Sequence, residues 1–115
     1  NLNVQFHVSL DYSKVRDIFS RHDLFLLPSF GENFGHVIYE SLSMGTPVFT
    51  SSNTPWSHDG ISLFCPPLIN NIWISYLKNF HNLNKNQFNL PRYGAFKTAC
   101  NYYRKTTKYL KLFNV

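Results

Sequence analysis

Residues 24–50 read Leu24-Phe25-Leu26-Leu27-Pro28-Ser29-Phe30-Gly31-Glu32-Asn33-Phe34-Gly35-His36-Val37-Ile38-Tyr39-Glu40-Ser41-Leu42-Ser43-Met44-Gly45-Thr46-Pro47-Val48-Phe49-Thr50. The first four residues are an unbroken apolar run stopped by Pro28. A run this short suits a strand buried on both faces, as in a parallel sheet. Ser29 to Gly35 is turn-rich, with two glycines. From His36 to Met44, Val37, Ile38, Ser41 and Leu42 fall in helical register, and Gly45 stands where a helix C-cap belongs. Pro47 to Thr50 is a second buried strand. The stretch is therefore a strand, a loop, a helix and a strand, which is the unit of a parallel sheet.

The flanks extend the alternation. Val4, Phe6 and Val8 alternate with Gln5 and His7 as a short strand. Asp11 or Ser13 can cap a helix carrying Val15, Ile18 and Phe19 at i, i+3, i+4. After the 51–60 loop, Ile61 to Cys65 predicts a strand stopped by Pro66-Pro67. Ile72, Ile74, Leu77, Phe80 and Leu83 fit a helix. Pro91 and Gly94 are expected to break the next stretch. Beyond them Tyr93, Phe96, Ala99, Cys100, Tyr103 and Leu110 fit one long helix or two with a bend. The expectation is an α/β fold: a Rossmann-like, mostly parallel sheet with flanking helices, in one domain or part of one.

Composition agrees. The 115 residues are 43% hydrophobic and 17% aromatic but only 15% charged, so the chain can build a core and leans on aromatic packing. No apolar run of about 18 residues is present to span a bilayer. The start, Asn1-Leu2-Asn3-Val4, has neither Met nor the pattern of a signal peptide, so the sequence is read as beginning inside a longer protein. Cys65 and Cys100 have no C-x-x-C spacing and are expected to be free, mostly buried thiols of a reducing compartment. His7, His22, His58 and His81 show no ligand spacing, so no metal site is expected.

Charge is unevenly distributed. All six acids lie in the first 59 residues, which sum to −3, while the remainder carries eight cations and no acid. Such asymmetry suggests an anionic partner, whether a membrane surface, a nucleic acid or another part of the protein. The plainer alternative is a solvated Lys/Arg helix face.

Chemistry is best placed on the Ser29–Gly35 corner. Ligands of open α/β sheets bind beyond the carboxyl ends of the strands. The first N–H groups of the following helix lack internal partners and carry the positive end of its dipole. Gly35 lets a ligand approach the backbone, so the corner can bind phosphate, or be a plain turn. Glu40 falls about 7–8 Å along a helix that starts near Gly35. With a diphosphate at the helix tip, Glu32 and Glu40 could each accept from a vicinal diol on either side of it. The competing readings are a favourable helix-terminal charge for Glu32 and an ordinary exposed acid for Glu40.

Pro28 to Glu40, followed by Gly45-Thr46-Pro47-Val48, resembles the signature of group 1 glycosyltransferases (family 4): two glutamates with seven residues between, after a Pro-Ser strand end and before Gly-x-Pro-Val. The likeness is clear from about Val4 to Trp56 and weak beyond. It implies a GT-B fold with two Rossmann-like domains, of which residues 1–115 would be the C-terminal, donor-binding one, truncated at its N-terminal side and without the acceptor domain. It implies retaining transfer of a sugar from a nucleotide-diphosphate sugar, without cofactor or obligatory metal, in cell-surface polysaccharide synthesis. Glu32 would be the catalytic residue at the donor sugar. Asn33, Phe34 and Gly35 would meet the diphosphate, His36 and Val37 would lie near the phosphate and nucleoside, and Glu40 would bind the ribose. Asn33, His36, Ser41 and Ser43 stand where Gly, Leu and an Ala pair are frequent. The family's diphosphate-neutralising Arg and Lys lie upstream of this region, and Arg16 and Arg21 do not replace them. A fixed positive donor in such a site is worth about 3–4 kcal/mol, so the chain alone is expected to be inactive.

The expected partners are a nucleotide sugar, the acceptor domain, a second copy through an exposed C-terminal helix with Leu110, Leu112 and Phe113, and the inner face of a membrane from the cytoplasmic side. Nucleic acid is not expected. Trp56 is either a lid on the site or a loop anchor. The alternative function is a non-catalytic α/β module whose basic C-terminal helices bind an anionic partner.

Overall fold

The computed structural model describes residues 3–7, 11–28, 35–52 and 59–112, apart from the side chains of residues 12 and 106–112. In chain order the elements are α1 (Tyr12–Ser20), β1 (Phe25–Leu26), α2 (Gly35–Ser43), β2 (Val48–Phe49), β3 (Leu63–Phe64), α3 (Asn70–His81) and α4 (Lys85–Leu112). The strands form one sheet in the order β1-β2-β3, with both pairings parallel. This is the α/β arrangement expected from the sequence, compatible with part of a Rossmann-like glycosyltransferase fold.

Alternation along the strands sorts the side chains into two layers. Val48 and Leu63 point to one face, where they pack with Ile38 and Leu42 of α2 and Ala95 and Ala99 of α4. Phe19 of α1 closes the same layer by ring contact with Phe25 at 4.8 Å. On the other face Phe49 meets Phe64, Trp73, Tyr76 and Phe80, with ring centroids 4.6–6.4 Å apart. The sheet is thus covered by α1, α2 and α4 on one side and by α3 on the other. Aromatic rings supply the α3 layer, as the composition required.

Several expectations are corrected. Residues 3–7 form no strand, and Val4 and Phe6 are 52% and 91% exposed, because this segment pairs with no described strand. Leu24 to Leu27 are half-buried rather than enclosed on both faces, since β1 has a pairing partner on one side among the described residues. Asp11 occupies the N-cap position of α1 but makes no side-chain capping bond. Pro91 and Gly94 do not break α4, which runs through both. Pro91 is buried in the packed face. Gly94 stands where a Cβ would come within 2.9 Å of Ile61 Cγ2, so its small size lets the helix lie against the start of β3. Of the residues expected on the α4 pattern, Ala99 packs inward and four do not, while the side chain of Leu110 lies outside the described residues. Ala95 and Ala99 pack inward, while Tyr93, Phe96, Cys100 and Tyr103 are exposed.

The start of α4 is fixed by a reciprocal cap. Asn84 N–H donates to Gln87 Oε1 (2.9 Å), and Gln87 N–H donates to Asn84 Oδ1 (2.8 Å). Asp59 fixes the start of β3. One of its carboxylate oxygens accepts from the N–H groups of Ile61, Ser62 and Leu63, each at 2.8 Å. The other accepts from the hydroxyls of Ser62 (2.8 Å) and Thr98 (3.2 Å), tying the loop to α4. Partial burial pushes the Asp59 pKa up, but the bonds from Ile61, Leu63 and Ser62 outweigh it and hold the group below the usual aspartate value.

Two outcomes follow for stability. Gly45 has φ +77°, and a Cβ there would also meet the Phe96 ring at 2.5 Å. Gly45→Ala should therefore cost about 1–2 kcal/mol in a urea titration. Because the Asp59 pKa is depressed on folding, its contribution is present at neutral pH and is lost as pH falls through the folded value. The stability gap between the wild type and Asp59→Asn should be widest near pH 7, begin to narrow below about pH 4 and vanish only below the depressed folded value. A gap independent of pH would contradict that assignment.

Candidate active site at the carboxyl edge of the sheet

The three parallel strands end on one edge, at Leu27-Pro28, Thr50-Ser51 and Cys65-Pro66. That edge is stitched across its width. Leu27 N–H donates to Phe49 O and Thr50 N–H to Phe64 O, both at 2.8 Å, and Ser52 N–H donates to Pro66 O at 3.1 Å. Pro28 cannot continue the ladder as a donor. The carbonyl of Leu27 instead accepts the Thr50 hydroxyl at 3.0 Å.

Helix α2 begins at this edge and runs back to the start of β2. Its far end is locked at three points. The Ser41 hydroxyl donates to Thr46 O (2.9 Å), Thr46 N–H donates to Ser41 O (3.0 Å), and the Thr46 hydroxyl donates to Phe19 O. These polar groups are fully buried and fully bonded. They fix the axis of α2 against the sheet, and with it the position of Gly35.

Of the residues expected at the site, Gly35, His36, Val37 and Glu40 belong to α2. His36 is exposed, Val37 is half-buried and packed on the core, and Glu40 is half-buried. His36 and Glu40 are four apart and share one side of the helix. Glu40 lies about 7.5 Å along the axis from Gly35. Among the described residues its carboxylate has no hydrogen-bond or ion-pair partner. Glu32, Asn33 and Phe34 lie outside the described residues, as does Trp56.

Arg16 is exposed midway along α1, and Arg21, just past its end, lies away from this edge. Arg21 pairs with Asp17 at 2.9 Å and lines, with His22, Asp23, Thr46 and Arg92, a polar cleft of about 100 Å³ at the opposite edge. Among the described residues no group of three His, Cys, Asp or Glu side chains is placed to hold a metal ion. No described helix is long and apolar enough to cross a membrane.

The model of the family "Glycosyl transferases group 1" matches residues 1–58, half of the chain. The chain belongs to the group 1 glycosyl transferases. The match spans α1, β1, α2 and β2, the elements that build the corner and lock it. It identifies this glycosyl transferase region as a transferase fold concerned with glycosyl transfer. No curated protein matches the chain.

The sequence did not reveal the polar lock behind α2, since Ser41 shows there only as a member of the helical register and Thr46 only as the variable position of Gly-x-Pro-Val. It also misplaced one thiol. Cys65, just past β3, is buried, but Cys100 on α4 is exposed. Burial first, and the nearby Asp59 charge second, push the Cys65 thiol up to about 11. Iodoacetamide at pH 8 should label one thiol per native chain, and Cys100→Ser should abolish the labelling. Labelling that survives in Cys100→Ser would show Cys65 to be open to solvent.

Proposed function

We propose that this group 1 glycosyl transferase is the donor-binding, C-terminal part of a retaining family 4 enzyme of GT-B architecture. It transfers a sugar from a nucleotide-diphosphate sugar to an acceptor, with cell-surface polysaccharide synthesis as its setting. The observation that carries the reading is the placement of α2. Its amino end sits at the carboxyl edge of a parallel sheet, and a half-buried Glu40 stands one and a half turns along it without a partner among the described residues.

In this reading the N–H groups at the start of α2, near Gly35, donate to the diphosphate oxygens. Glu40 accepts both ribose hydroxyls, and His36 flanks the phosphates from the first turn. Val37 gives the nucleoside an apolar wall. Glu32 meets the donor sugar, with Asn33 and Phe34 contributing backbone to the diphosphate. A second domain supplies the acceptor and the cations that neutralise the departing diphosphate, so residues 1–115 alone bind donor weakly and turn over little. No metal or cofactor is required. The enzyme works on the cytoplasmic side.

Calorimetric titration with UDP, GDP and ADP tests the reading. One of the three should bind, and Glu40→Ala should weaken it about tenfold, the loss expected for hydrogen bonds to a charged group. Lys14→Ala on α1 should leave it unchanged. Binding that is indifferent to Glu40→Ala would refute the ribose assignment.

A further inference from the structure

We propose that the groove between α2 and α4 is a binding site for a small planar aromatic acid. This goes beyond the donor-site reading and does not depend on it. The groove holds about 220 Å³ above the buried Ala99. Tyr39 and Ser43 of α2 form one wall, and Phe96 and Tyr103 of α4 form the other, with Arg104 beside Tyr103. At 1.5 Å per residue the lining spans about 6 Å of α2, from Tyr39 to Ser43, and about 12 Å of α4, from Phe96 to Arg104. That is room for a flat ring carrying a conjugated acid, and too short for a docked helix of three turns. Two contacts fix the walls. The Tyr39 and Tyr102 rings meet at 5.2 Å and brace α2 against α4. The Phe96 ring sits on Gly45, where a Cβ would come within 2.5 Å of it. Rings already held in place lose little freedom when a ligand enters.

The lining selects the ligand. A mostly apolar wall with one well-placed polar group is the usual make-up of a small-molecule site. The aromatic side chains Tyr39, Phe96 and Tyr103 take a flat ring by offset or edge contact. Arg104 is the one charged side chain among the described residues of the lining, and its guanidinium has no acidic partner among the described residues. A guanidinium meets a carboxylate with two parallel N–H donors, which fixes the orientation of the acid group. The Ser43 hydroxyl already donates to Glu40 O at 2.7 Å, so toward the groove it acts as an acceptor. A neutral ring would leave the guanidinium without a counter-charge, and a cationic ring would meet it as a like charge.

The test uses cinnamate as the probe, titrated into the full chain and followed by NMR. Cinnamate should bind with a Kd of about 5 mM or tighter. Cinnamamide, its neutral isostere, should bind at least about fivefold more weakly, and Arg104→Gln should weaken cinnamate by a similar factor. Arg92→Gln, on α4 but outside the groove, should bind as the wild type does. Cys100 is exposed and lines the groove, so it reports on the place of binding. At about 20 mM, cinnamate should slow its alkylation by iodoacetamide at least about threefold, and acetate, which has no ring, should not. Cys100→Phe fills the groove from an exposed position and should abolish binding. Unchanged thermal melting of the variants confirms their fold, and Arg104→Gln is a second probe should Cys100→Phe melt early. Absent binding of cinnamate to the wild type, equal binding of cinnamamide, full binding by Arg104→Gln or by a folded Cys100→Phe, or alkylation of Cys100 unaffected by cinnamate would overturn the proposal. None of the substituted residues belongs to the donor site, so a failure here leaves the donor-site reading untouched.

Discussion

The junction of α2 with β2 governs the geometry of this protein. Gly45 turns the chain through a left-handed conformation that a side chain would oppose. Ser41 and Thr46 then exchange bonds across the turn, and the Thr46 hydroxyl reaches back to the end of α1. Every one of these groups is buried, so leaving any of them unbonded would cost more than the bond itself returns. The lock leaves α2 one orientation. It sets the helix axis against β1 and β2 and aims its first turn at the edge where the strands end.

Packing then amplifies what the junction sets. Ile38 and Leu42 of α2 share a core with Val48, Leu63 and the alanines of α4. The use of Ala95 and Ala99, together with Gly94, brings α4 close to the sheet layer. A small-residue face inward obliges the larger Tyr93, Phe96 and Tyr103 to face outward. The exposed aromatic and basic surface of α4 is therefore a consequence of close helix packing. The other face follows a different rule, with one phenylalanine, Phe49, serving three rings of α3.

The chemistry of the corner rests on the same economy of position. In the proposed donor-binding role the corner holds a charged diphosphate leaving group without relying on flexible side chains alone. Fixed helix amides cost no reorganisation when charge develops. The rigid connection from Phe19 through Thr46 and α2 to Gly35 is what makes such amides fixed. Asp59 performs the corresponding task for β3, gathering three N–H groups and two hydroxyls that would otherwise be loose at the strand entrance.

The sequence by itself determined the βαβ unit, its C-cap glycine and its family. Short apolar runs, a 3.6-residue period and a turn glycine are local signals, set by backbone sterics and the alternation of burial. It also placed Gly35, His36, Val37 and Glu40 on one helix, since their spacing alone does that. It failed wherever a partner far along the chain decides the outcome. Val4 and Phe6 carry the strand pattern, but a strand exists only when another strand pairs with it. Pro91 and Gly94 carry the signature of a break, but burial of one and the close approach of Ile61 to the other keep α4 whole. The inward face of α4 was hidden because alanines look neutral in a sequence and become a core only when a second helix closes on them. The state of Asp59, Thr46 and Cys65 was likewise invisible, because burial and hydrogen bonding are properties of the assembled surroundings and not of the residue.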